Sequence, residues 1–144
     1  MELDAARQFM RQHHRAILTT YRGAGPVRMS PVVAGVDHVG RAIVSTRETL
    51  YKVKHLRRDP RISLCVFTDA FFGQWIQVDG TAAILSLPDA LEPLVDYYRA
   101  ISGEHDDWDE YRAAMTKQRK CLLRLTIERW GPIATGGFPP ELAD

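Results

Sequence analysis

Cysteine is scarce in this chain. Cys65 and Cys121 are its only two, each lies inside an apolar run, and neither has companions at metal-ligand spacing. That excludes a disulfide framework and a thiolate metal cage, and suits buried free thiols in a reducing cytoplasm. An excess of one charge is missing too. With 19 Lys and Arg against 18 Asp and Glu, the net charge is +1, so bulk charge gives no reason to expect nucleic acid as a partner. No apolar run approaches the roughly 18 residues a membrane span needs, and Met1 to Arg15 is too charged for a secretory signal. Catalytic signatures are also absent. No serine sits in a Gly-x-Ser-x-Gly elbow, Gly131 to Gly137 lacks a phosphate-loop pattern, and there is no Rossmann fingerprint. What is present, 45% hydrophobic and 26% charged residues in 144, suits one globular domain spanning 1–144.

The near-neutral total conceals a strong asymmetry. Between Arg47 and Arg61 lie Arg47, Lys52, Lys54, Arg57, Arg58 and Arg61 against Glu48 and Asp59. Between Asp89 and Glu110 the acids face Arg99 alone. Two readings follow: the segments pair with each other, Arg58 with Asp109 for instance, or each meets its own partner.

Periodicity predicts a helix over 2–13, then strands near 16–21, 27–36, 41–46, 62–67, 74–85 and 121–127. Asp37-His38-Val39-Gly40 makes a hairpin turn. Pro31 cannot donate to a ladder, so its strand is open or bulged there, and Gly80 reads as a bulge. Ser45 or Thr46 with Glu48 resembles a helix cap, opening a helix that Asp59-Pro60 ends. Pro88 opens another helix, closed by Gly103, and 106–117 forms a further one. The tail from Trp130 reads as irregular. These elements predict a mainly β, α+β fold: a six-stranded antiparallel barrel with helical decoration.

The segment from Ile43 to Arg61 is the richest in chemistry. A strand leads into a helix whose start offers hydroxyls, free backbone N–H groups and Lys52, which suits an anion; a solvated basic helix is the plainer alternative. His13-His14 has no ligand companions and reads as packed or solvated. Glu104-His105-Asp106-Asp107 reads either as a charged cluster or as the cap of the next helix. Trp75 and Trp108 read as core or interface anchors.

Several stretches carry a resemblance. Ala16 to Thr20, Met29-Ser30-Pro31-Val32, Ser45-Thr46, Lys52 and Leu56-Arg57-Arg58-Asp59-Pro60-Arg61 resemble the pyridoxamine 5′-phosphate oxidase-like split-barrel proteins. Val78-Asp79-Gly80-Thr81-Ala82 and the run from Gly103 to Arg112 are similar to an actinobacterial branch that uses the deazaflavin coenzyme F420. The resemblance implies a cytoplasmic homodimer of split barrels with flavin or deazaflavin in clefts at its interface. It assigns the cofactor phosphate to Lys52, aided by Ser45, Thr46 and Arg47. It lines the ring system with Arg28, Met29, Ser30, Pro31 and Val32, and brings Trp75 and Gln77 from the partner subunit. One departure stands out: several relatives place an arginine just before the phosphate lysine, where this chain has Leu50 and Tyr51. Arg47 or Lys54 would then supply the second charge.

The implied activity is a reductase moving hydride from reduced F420 to an electron-poor small-molecule acceptor, the cofactor doing the hard chemistry. Arg28, Tyr51 and His55 are proton-donor candidates by position only. An FMN oxidoreductase of the same fold and a non-catalytic F420 carrier are the alternatives. The anionic oligoglutamate tail of F420 suits Lys54, Arg57 and Arg58, which favours the deazaflavin.

Overall fold

The structure is a computed structural model and describes residues 1–138. Its elements are α1 (Leu3–Gln12), β1 (Arg15–Thr20), β2 (Arg28–Val36), β3 (Ala42–Arg47), α2 (Tyr51–Arg58), β4 (Arg61–Phe67), β5 (Gln74–Leu85), α3 (Leu91–Ser102), α4 (Trp108–Lys117), β6 (Lys120–Trp130) and β7 (Ala134–Thr135). The strands pair antiparallel in the order β4-β1-β2-β3-β6-β5, and β4 pairs back onto β5. The predicted α+β fold with a six-stranded barrel is therefore present. Two details differ. β6 runs on to Trp130, and a short β7 in the tail read as irregular pairs with the start of β5.

Alternation along the strands explains the barrel. Ala16 and Leu18, Ile62, Leu64 and Val66, Ile76 and Val78, and Leu123 and Leu125 all point inward and are buried. Ala6, Phe9 and Met10 of α1 and Leu56 of α2 join the same cluster. Each large side chain so buried contributes about 1.5–3 kcal/mol relative to exposure. The opposite phase makes a second cluster on the outside, where Ile43 and Leu122 are covered by Leu94 and Val95 of α3 and by Tyr111 and Met115 of α4. Tyr111 fixes that contact by donating its hydroxyl to the Leu94 carbonyl at 2.8 Å. Gly35 permits the close approach of α3, since a Cβ there would stand 3.1 Å from Ile101.

Helix starts are where sequence reading errs. Ser45 and Thr46 do not cap a helix; they continue β3 and pair with Leu122 and Cys121 of β6. Ladder pairing wins because β3 has a neighbouring strand waiting, a tertiary fact that a local cap signal cannot contain. α2 begins later, after Leu50, without a side-chain cap. α3 likewise starts at Leu91 rather than Pro88, which lies in the preceding turn and accepts from the Leu91 N–H at 3.1 Å. By contrast Asp107 caps α4, accepting from the Glu110 N–H at 3.1 Å, so the capping reading of 104–107 holds. Cys121 is buried as expected, whereas Cys65 is partly exposed. Among the described residues, no helix is long and apolar enough to cross a membrane.

Two strand features bear on the site. β2 pairs with β1 from Arg28 to Val33, yet meets β3 only from Ala34 to Val36, so Pro31 stands at an open edge as its missing N–H requires. Met29 and Val33 lie exposed there. On β5 the register shifts between Asp79 and Gly80, where a Cβ would fall 1.8 Å from the Thr126 carbonyl oxygen. Backbone cannot yield as a side-chain tip can. Gly80→Ala should therefore destabilise the protein by about 1–3 kcal/mol in thermal or urea unfolding; an unchanged midpoint would show that the bulge relaxes freely.

Candidate functional site

β3 and β6 end side by side, and their register sets the charge of the groove they border. Arg47 lies directly across the ladder from Lys120, a like-charge pairing that is unfavourable by itself. The start of α2 adds Lys52, and α3 adds Tyr97 and Tyr98. Together with Pro31 and Val32 of the β2 edge, and Ser45 and Thr46, these residues line a groove of about 540 Å³. Tyr97 donates its hydroxyl to the Val33 carbonyl at 2.8 Å, tying α3 to the open strand. Behind it, Tyr98, Trp108 and Tyr111 stack edge to face, with the Tyr98 and Tyr111 ring centres 5.1 Å apart. This aromatic wedge holds both helices against the groove.

The cations of the groove lack counterions. Burial, then the neighbouring Lys120, Arg28 and Arg47, holds the Lys52 ammonium below its ordinary pKa. Lys120 is depressed by burial and by Arg47. Neither lysine nor Arg47 joins an ion pair among the described residues. Glu48 is near but committed: Ser86 and Arg57 both donate to its carboxylate. Although burial pushes Glu48 up, those bonds outweigh it and keep its pKa low. A half-buried set of unpaired cations with hydroxyls beside it fits a phosphate or similar anion.

A second groove, of about 870 Å³, lies on the other side of the α2 start. Arg22, Arg28, Lys54 and Arg58 border it, with Tyr51 and His55 between them. Arg28 and Lys54 both lie over the Tyr51 ring, 5.2 and 5.5 Å from its centre. The His55 ring Nδ1 is 3.1 Å from the Thr20 hydroxyl. Burial, then Arg22, Arg28 and Arg58, lowers the His55 pKa below 6.5. Its ring is thus mainly neutral at pH 7.

The sequence-predicted residues divide accordingly. Pro31, Val32, Ser45, Thr46, Arg47 and Lys52 meet in the first groove; Arg28, Tyr51, His55 and Arg58 meet in the second. Met29 and Ser30 sit between them on β2, outside both linings. Trp75 and Gln77 lie on β5 and line neither groove; Gln77 donates to Asp79 at 3.0 Å. Of the two readings of the charge asymmetry, pairing between the basic and acidic segments does not form among the described residues. Asp109 meets Arg112, Glu92 meets Arg112, and Glu104 meets Arg99, all within the α3–α4 region. Arg57 turns to Glu48, which removes it from the cation set expected for a tail. Lys120 and Tyr97 were missed by sequence reading. Lys120 opens the last strand, but its position opposite Arg47 depends on a register that spacing does not reveal.

The fold is a closed antiparallel barrel with a cationic groove beside an open strand edge. Residues 3–134 match the model of the pyridoxamine 5′-phosphate oxidase family, and the chain belongs to that family. Solved structures share the fold. A conserved hypothetical protein from Mycobacterium tuberculosis is 21% identical with TM-score 0.73, covering 90% of this chain and 82% of that one. An F420 reductase is 12% identical with TM-score 0.65, covering 87% and 94%. The heme storage protein HutZ from Vibrio cholerae is 17% identical with TM-score 0.65, covering 96% and 97%.

The charge pattern has a pH signature. Because the folded pKa of Lys52 lies below its unperturbed 10.5, the unfolded chain binds more protons between those values, and this lysine's contribution to stability rises with pH there. An anion should relieve the same strain at neutral pH. Inorganic phosphate should raise the melting temperature more than chloride at matched ionic strength, and Lys52→Ala should erase most of the difference. Equal effects of the two salts on the wild type would rule out the phosphate-binding reading.

Proposed function

We propose that this chain is an oxidoreductase that binds the deazaflavin F420 and reduces an electron-poor small molecule, with FMN as the alternative cofactor. The observation that carries the reading is the groove around Lys52, where Lys52, Arg47 and Lys120 have no acidic partner among the described residues, with a second groove bordered by Arg22, Arg28, Lys54 and Arg58 at the same helix. When bound, the reduced deazaflavin supplies the hydride. Lys52, Arg47 and Lys120 would bind its phosphate, with the Ser45 hydroxyl and the Thr46 backbone beside them. The open edge of β2, from Arg28 to Val32, would offer backbone groups to the ring system. Tyr97 and Tyr98 would exclude water from one side. Arg22, Lys54 and Arg58 would take the tail carboxylates. Negative charge there would raise the pKa of His55, so that more of its ring would carry a transferable proton near neutral pH than in the free protein.

The tail distinguishes the cofactors. Charge-assisted bonds are worth roughly 1.5–3 kcal/mol each, about ten- to hundredfold in affinity. Fluorescence titration of the wild type and of a Lys54→Gln, Arg58→Gln double variant with both cofactors tests the reading. The double variant should bind F420 more weakly and FMN nearly as before. Tighter binding of FMN than of F420 by the wild type would overturn the choice. A screen of electron-poor acceptors then separates a reductase from a carrier, since only the former turns over.

Assembly belongs to the same reading. Phe71 and Phe72 are 84% and 67% exposed, and Met29, Val33 and Trp75 add further apolar surface. A second copy of the chain would cover such surface and would bring Trp75 and Gln77 to a neighbouring groove. The melting temperature should then rise with protein concentration. A folded monomer at micromolar concentration with full cofactor affinity would refute the homodimer.

A further inference from the structure

On the far flank of α3 lies a cavity of about 480 Å³ that the proposed cofactor site does not use. Its floor is apolar, formed by Ile43 and Leu122 of the outer barrel face and by Ala100 of α3. Arg41, Arg99 and Arg124 reach it from the turn just before β3, from α3 and from β6. Arg124 sits directly across the ladder from Ile43 on one side and Ala83 on the other, with Leu122 two residues before it. The Nε of Arg124 is buried and has no hydrogen-bond partner. Among the described residues, Arg124 joins no ion pair. A buried, unsatisfied guanidinium nitrogen is uncommon and destabilising unless something meets it.

The nearby acids do not meet it. Asp37 accepts from the Arg41 Nε at 2.7 Å and from the Val39 and Arg41 backbone, which occupies its carboxylate in the hairpin turn. Asp96 is largely exposed and comes no nearer than 4.0 Å to Arg99. The Arg99 Nε goes to Glu104 at 3.0 Å. Arg41 binds Asp37 through Nε at 2.7 Å. The cavity therefore combines an apolar floor with Arg124, which has no partner among the described residues, two arginines already engaged, and the Asp37 and Asp96 carboxylates at its margin. Few converging polar groups over an apolar floor are what small-molecule sites are made of.

We infer that this cavity is a second ligand site, taking a small organic acid whose carboxylate meets Arg124 and whose apolar body lies over Ile43, Leu122 and Ala100. A planar carboxylate suits a guanidinium fork better than a point cation. The site does not depend on the identity of the cofactor, because α3 separates it from the groove that holds Lys52.

Titration calorimetry and ligand-observed NMR with sodium benzoate, and with the uncharged isostere benzamide, test this. Benzoate should bind the wild-type protein, and benzamide should bind at least about tenfold more weakly because it lacks the charge. Arg124→Met should lose benzoate by a similar factor, with part of the affinity returning in Arg124→Lys. Ala100→Phe should block the cavity while leaving Arg124 in place, a check that stands even if the Arg124 variants fold poorly. Lys52→Ala should bind benzoate as the wild type does, which separates this site from the cofactor groove. Without ligand, Arg124→Met should melt no lower than the wild type. Absence of benzoate binding at millimolar concentration, binding untouched by Arg124→Met and Ala100→Phe, or binding lost in Lys52→Ala would each overturn the proposal.

Discussion

The register of β3 against β6 governs much of the molecule. It places Arg47 across from Lys120, and it sets Ile43 beside Arg124 on the same outer face. A slip of one residue would turn these side chains inward and send Val44 and Leu123 out, because strand faces alternate strictly. The register is held by the inner phase, where Ala42, Val44, Leu123 and Leu125 are all buried in the barrel core. Packing inside the barrel therefore decides which charges stand together outside it. The cations are tolerated at the strand ends because the hydrophobic core fixes the backbone that carries them.

The helices divide that outer face. α3 crosses it over Gly35, with Tyr97 bonded to the Val33 carbonyl on one flank and Ala100 beside Ile43's cavity on the other. One helix thus forms a wall of two different recesses. Of the acidic residues that accompany α3 and α4, Asp96 and Glu104 pair locally with Arg99, and Glu92 and Asp109 with Arg112. Their negative charge does not neutralise the basic face, and the electrostatic asymmetry visible in the sequence survives folding.

The barrel was legible in the sequence because period-two alternation records which residues face a core, as in Cys121, Leu123, Leu125 and Ile127. Pro31 and Gly80 were legible for a stricter reason: one lacks a donor and the other lacks a Cβ, so each restricts its own surroundings. Ser45 and Thr46 misled because a cap signature is local, whereas strand pairing with residues more than seventy positions away is not. The cluster around Lys52 was half legible. Arg47 and Lys52 lie close in the chain, but Lys120 and Tyr97 arrive through register and helix docking. Charge pairing was the least legible feature: composition suggested that Arg58 and Asp109 could meet, while geometry gave each a different environment.

The open stretch of β2 has a consequence for how another molecule can approach it. From Arg28 to Val33 one side of the strand lacks a neighbour, and an unpaired edge ordinarily invites sheet extension by a passing chain. Pro31 interrupts the row of donors at its middle, so an incoming strand would meet a gap in the ladder and a ring in its path. The edge is thereby a poor template for intruding backbone, and in the proposed function its remaining carbonyl and amide groups would be left to a flat ring system. A single imino acid thus turns a strand edge from a site of sheet extension into one that a further strand cannot fully pair.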